Sequence, residues 1–121
     1  MHNNNFGRWG EDAASRWYKQ AGYRILERNW RCAQGEIDLV VASGSAVTFV
    51  EVKARTSGRY GSGFDAVDRR KQQRLRQLAR RWLSDRPPPS RGQSPEFFDE
   101  VHFDVVEVDG QGRVRVRQQC F

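Results

Sequence analysis

From Gly7 to about Ala21 the apolar residues Trp9, Ala13, Ala14, Trp17, Tyr18 and Ala21 recur every three or four positions, the spacing of one helix face, and Gly22 is placed to end it. Tyr23 to Trp30 sets Ile25 and Leu26 among polar residues and reads as a short strand leading toward Arg31 and Cys32. Ile37 to Ala42 is apolar except for Asp38, and Ala46 to Lys53 is rich in β-branched and aromatic residues. With Ser43-Gly44-Ser45 between them, these two runs predict a β-hairpin. The glycines and small polar residues from Thr56 to Gly63 predict a flexible loop directly after it.

Asp65 to Ser84 returns to a helical period. Val67, Leu75, Leu78, Ala79, Trp82 and Leu83 form its stripe, and Arg69, Arg70, Lys71, Arg74, Arg76, Arg80 and Arg81 surround it. Pro87-Pro88-Pro89 and Pro95 cannot continue that helix, so residues 85–99 are expected to be a flexible loop. Val101 to Val108 and Arg113 to Arg117 bracket Asp109-Gly110-Gln111-Gly112, the pattern of a second hairpin. Helix, strands, helix, strands is the order of an α/β fold with a mixed central sheet flanked by helices. With 121 residues, 37% of them hydrophobic, one domain spanning 1–121 is expected.

Charge adds a partner class to this outline. The net charge of +6 and pI near 10.0 come from arginine far more than lysine, and the planar guanidinium fork suits phosphate. No run is long enough for a transmembrane span and the N-terminus lacks the apolar stretch of a secretory signal, so a cytoplasmic location is expected, with no membrane partner. Cys32 and Cys120 have no Cys or His at zinc-site spacing and read as ordinary thiols.

The candidate chemistry lies in the first hairpin. A carboxylate between Ile37 and Leu39 is costly unless compensated, and a cation is the natural compensation for Asp38. Strand alternation puts Glu51 and Lys53 on the face that also carries Val47 and Phe49. If the hairpin pairs, Asp38 and Glu51 fall at the same end of the sheet, where two carboxylates suit Mg²⁺ or Mn²⁺ with water and phosphate completing the shell. Lys53 beside them could orient or deprotonate an attacking water, or stabilise transition-state charge. The bland reading of the three is a structural ion pair at a sheet edge.

Gly10-Glu11 with Ala14, the run Gly22 to Asn29, Gly35-Glu36-Ile37-Asp38-Leu39, Phe49 to Arg55, Lys71 and Phe103-Asp104-Val105 together resemble the YraN family of small bacterial endonuclease-like proteins, over Gly7 to about Val108. The resemblance implies a restriction-endonuclease-like core with the PD-(D/E)xK pattern, also seen in archaeal Holliday junction resolvases. Ile37 stands where that pattern has Pro. Asp38 matches its metal-binding Asp, Glu51 its second acidic ligand and Lys53 its catalytic Lys, and similarity to the resolvases adds Glu11 as a further metal ligand and site residue.

The expectation is therefore Mg²⁺- or Mn²⁺-dependent phosphodiester hydrolysis of DNA, with structured or branched DNA favoured by analogy. Arg55, Arg59, Lys71 and Arg74 are expected on the phosphates and Tyr60 against a base. Glu36 is expected in a turn or capping role, with metal ligation as the lesser alternative, Trp9, Trp17, Trp30 and Trp82 in the core, and His102 in a structural role. Asp104 has no assigned role. Symmetric cutting of two strands would call for a homodimer. The alternative is a catalytically silent nucleic-acid-binding or protein-interaction module on the same fold.

Overall fold

The apolar stripes of the two helices are covered by opposite faces of one sheet. The computed structural model describes residues 5–55, 69–92, 96–118 and 121. Its elements are α1 (Asn5–Gln20), β1 (Arg24–Cys32), β2 (Gly35–Ser43), β3 (Ala46–Arg55), α2 (Arg69–Ser84), β4 (Glu100–Asp109) and β5 (Val114–Arg117). The strands lie in the order β1-β2-β3-β4-β5. Every neighbouring pair is antiparallel except β3 with β4, which run parallel. Parallel neighbours require a crossover connection, and α2 lies within it.

On one face Ala13, Ala14 and Tyr18 of α1 pack on Leu39, Val41, Val50, Val106 and Val108. On the other, Leu75, Leu78, Ala79 and Trp82 of α2 pack on Ile37, Val40, Val47, Phe49 and Phe103. The central strand β3 is covered on both sides, so Val47 to Val50 are all buried. This explains its continuous apolar and β-branched run. Burial relaxes from Glu51 onward, where the strand leaves the cover of both cores.

The first strand is longer than its sequence pattern suggested, extending through Cys32, and it forms a hairpin of its own with β2. Gly44, at φ 58°, makes the next turn, closing β2 onto β3 at the rung Ser43↔Ala46. Within the basic helix the described residues begin at Arg69; Asp65 and Val67 lie outside them. After α2, residues 86–90 carry neither helix nor strand, as the three prolines require. Arg86 stacks over Trp82 and Phe98 and pairs with Glu96 at 3.4 Å. Trp82 is buried, while Trp9, Trp17 and Trp30 are half-buried at the margins of the two cores. No described helix is long and apolar enough to cross a membrane.

Candidate functional site

The site arises where the sheet comes apart. The β2–β3 ladder ends at Leu39↔Val50, and the next bond is made by a side chain: Val52 N–H donates to Asp38 Oδ2 at 2.8 Å. Asp38 thus holds open a fork between two strands that are paired further along. The cause is visible in the side-chain alternation. Leu39 packs on the α1 face and Ile37 on the α2 face, although residues two apart in a strand ordinarily share a face. Their partners in β1 do the same, with Arg28 bonded to Asp12 of α1 while Trp30 packs on the α2 face. Between the rungs Arg28↔Leu39 and Trp30↔Ile37 lies Asn29, at φ 53°. The left-handed backbone of Asn29 turns one strand over across from Asp38, so that Asp38 is spared the apolar face its neighbours imply.

Both helices reach the fork. Gly10 is buried, and a Cβ there would stand 3.1 Å from that of Ala54, so this glycine lets α1 lie close on β3 and brings the adjacent Glu11 to the opening. From the other face, Lys71 in the first turn of α2 places its Nζ 2.9 Å from Glu51 Oε1. Lys53 Nζ is 3.9 Å from the same oxygen. The resulting cleft, about 560 Å³, is lined by Arg8 and Glu11 of α1, Asn29 and Arg31 of β1, Glu36 and Asp38 of β2, and Glu51, Val52 and Ala54 of β3.

Burial and crowded charge shift the titration of the groups at the fork. Asp38 is pushed up from 3.8 to about 7, first by burial and then by the negative field of Glu51, with Glu11 and Glu36 adding to it; the Val52 N–H opposes the shift. Lys53 is brought down from 10.5 to about 8 by burial and by the neighbouring Lys71, against the pull of Glu51. Burial also acts to lower Lys71, but its hydrogen bonds to Lys53 and Glu51 outweigh it and the net displacement is upward. Among the described residues, no three carboxylate, imidazole or thiol groups stand together as a ready metal cage.

Of the residues singled out by sequence, Asp38, Glu51, Lys53, Glu11 and Lys71 therefore converge. Arg55 is close enough that its charge contributes to lowering Lys53, and Arg74 lies over Gly35 at the start of β2. Arg59 and Tyr60 lie outside the described residues. Glu36 bonds to Arg31 at 3.0 Å and faces the cleft. Asp104 is buried and accepts a 2.7 Å bond from Tyr18 Oη, tying α1 to β4 away from the cleft. His102 bonds to Glu100. Sequence reasoning missed Arg8, Arg31 and Asn29 as cleft residues. Only Asn29 carried a signal, as one of the few residue types that tolerate a left-handed backbone.

Comparison with known proteins gives a consistent result. The model of the uncharacterised protein family UPF0102 matches residues 10–108. A UPF0102 protein of Parafrankia sp. (strain EAN1pec) is 47% identical over 115 residues, covering 93% of this chain and 91% of the relative. One from Frankia casuarinae is 47% identical over 112 residues, covering 91% and 88%. A more divergent one from Syntrophomonas wolfei is 39% identical over 115 residues, covering 93% of each chain.

Proposed function

The chain belongs to the uncharacterised protein family UPF0102, and from that starting point we propose that it is a Mg²⁺- or Mn²⁺-dependent phosphodiesterase acting on DNA. The observation that carries this reading is the fork, where Asp38 is driven up to about 7 by burial and by Glu51, Glu11 and Glu36 in a cleft open to solvent. A half-buried carboxylate with three others on the same cleft wall is a poor structural device and a good ligand for a hard cation. Asp38 and Glu51 offer the oxygen donors such an ion takes, and Glu11 lines the same cleft as a further donor once an ion draws the wall together. The resemblance of GEID and EVK to the PD-(D/E)xK nucleases supports the same assignment and a restriction-endonuclease-like core.

A divalent cation in this cleft supplies Lewis acidity, lowering the pKa of a bound water and offsetting charge on the phosphoryl oxygens. Asp38 is oriented for ligation by the Val52 N–H, which commits one of its two oxygens. Lys53, with its pKa near 8, is partly neutral in mildly alkaline solution, which suits it to accept a proton from the attacking water. Arg55 and the basic start of α2 neutralise the phosphate backbone. The described part of that helix opens on Arg69, Arg70 and Lys71, a cluster of positive charge suited to a polyanion.

One contact favours a second reading. Glu51 is engaged by Lys71 at 2.9 Å, as in a structural ion pair, which suits a nucleic-acid-binding module without cleavage. The deciding experiment compares duplex, single-stranded and four-way-junction DNA with Mg²⁺, Mn²⁺ or EDTA, with Asp38→Ala and Lys53→Ala alongside. Metal-dependent cutting by the wild type and none by either variant is expected. DNA binding without cutting under any metal selects the binding module, and equal cutting by all three proteins marks a contaminant.

A further inference from the structure

The contact between Lys71 and Glu51 joins the basic helix to the site, and it joins them through an oxygen that the proposed cation needs. We propose that Lys71 is an exchangeable counter-ion: it holds Glu51 in the free protein and releases it to the cation, its own ammonium then passing to the phosphate of the bound nucleic acid. The inference rests on the reading of the fork as a metal site.

Three features carry it. Glu51 Oε1 is the shared atom of two lysine contacts, 2.9 Å to Lys71 and 3.9 Å to Lys53, so a cation taking that oxygen has to displace the nearer amine. Lys53 is confined to β3, two residues from Glu51, with a side chain only 14% exposed. Lys71 comes from α2, outside the sheet, on a flexible four-carbon stem with its side chain 33% exposed, and so can turn outward without disturbing the strand ladder. Arg69 and Arg70, next to Lys71 on α2, are exposed, so a Lys71 turned outward joins a positively charged surface suited to phosphate. The exchange has a charge logic. A divalent cation alone increases the positive charge at the fork, whereas cation and phosphate together bring a charge of opposite sign for Lys71. Metal and nucleic acid are therefore expected to favour each other's binding through this side chain.

The test measures Mn²⁺ binding to the full-length free protein by electron paramagnetic resonance, with calorimetry as a second readout. Lys71→Met is expected to bind Mn²⁺ about tenfold more tightly than wild type, the order expected for freeing a half-buried carboxylate from an ion pair. Lys71→Arg, which keeps the charge, should stay near wild type. Arg31→Met removes a charge that lines the same cleft but pairs with Glu36, and should change affinity by less than about twofold, because a more distant charge is screened. The proposal is overturned if Lys71→Met binds Mn²⁺ no more tightly than wild type, or if Arg31→Met gains as much, since the effect then belongs to the general field of the cleft. If wild type and Lys71→Met both fail to bind at millimolar Mn²⁺, the metal site itself is wrong. Binding by wild type that survives Asp38→Asn would place the ion elsewhere and overturn both.

Discussion

Replacing Asp38 with Asn should make the metal-free protein more stable above neutral pH. Asn is nearly isosteric and its carbonyl can still accept the Val52 N–H, so the substitution removes charge while keeping the bond that shapes the fork. The sign follows from linkage. Asp38 titrates near 3.8 when unfolded and near 7 when folded, so between these values the folded state binds more protons and stability falls as pH rises. The gap is roughly three pH units at about 1.4 kcal/mol each, which gives ~4 kcal/mol at pH 8. The cleft admits water, and about half of that, ~2 kcal/mol, is the discounted expectation. For a chain this long it corresponds to a melting-temperature gain of about 8 °C. Thermal unfolding of wild type and variant in EDTA, from pH 4 to 8.5, isolates the effect as the difference between two curves: near zero at the acid end, growing through pH 5 to 7, then level. Saturating Mg²⁺ should narrow the difference by stabilising wild type alone. A difference that does not change with pH would refute the claim that Asp38 is held ionised at a cost in the folded protein.

Substitutions at three further positions probe the site and its frame. If Lys53, already lowered by burial in the free protein, is the base, cleavage should rise with pH as its amine loses its proton, and Lys53→Arg, which cannot deprotonate, should abolish that limb rather than shift it; an unchanged profile in the variant would assign Lys53 to charge stabilisation. Asn29→Val should cost about 1–2 kcal/mol by denaturant unfolding because a β-branched residue resists φ 53°, whereas Asn29→Gly should be close to neutral. Equal losses in the two variants would show that the Asn side chain, not its backbone, matters. Tyr18→Phe removes a donor from the buried Asp104 and should lower stability by about 1–3 kcal/mol while leaving Mn²⁺ binding unchanged. A parallel loss of metal binding would tie Asp104 to the site after all.

Much of this molecule could be read from local pattern. The stripes of α1 and α2, the hairpin that carries Asp38 and Glu51, and the final hairpin follow from periods of 3.6 and 2, which depend on backbone geometry alone. The continuous apolar run of β3 announced a strand covered on both faces. That Glu51 and Lys53 share a side was likewise a property of the strand. Glu11 and Lys71 entered through resemblance, and nothing in their local sequence says what they face.

What the chain's linear order left undecided belongs to the meeting of separate elements. Asn29 and Asp38 occupy neighbouring strands, and only their pairing shows that the alternation changes face in both strands at that point. Strand order and the parallel pairing of β3 with β4 set α1 and α2 on opposite faces, so that Glu11 and Lys71 approach the same opening from two sides. The elevated pKa of Asp38 depends on burial and on carboxylates from three elements, terms that fall off over a few ångströms in space and carry no trace in sequence spacing. Sequence alone thus singled out the residues of the candidate chemistry; tertiary structure set Asp38, Glu51 and Glu11 along one cleft and Lys53 and Lys71 against Glu51, because only packing brings distant charges within reach of each other.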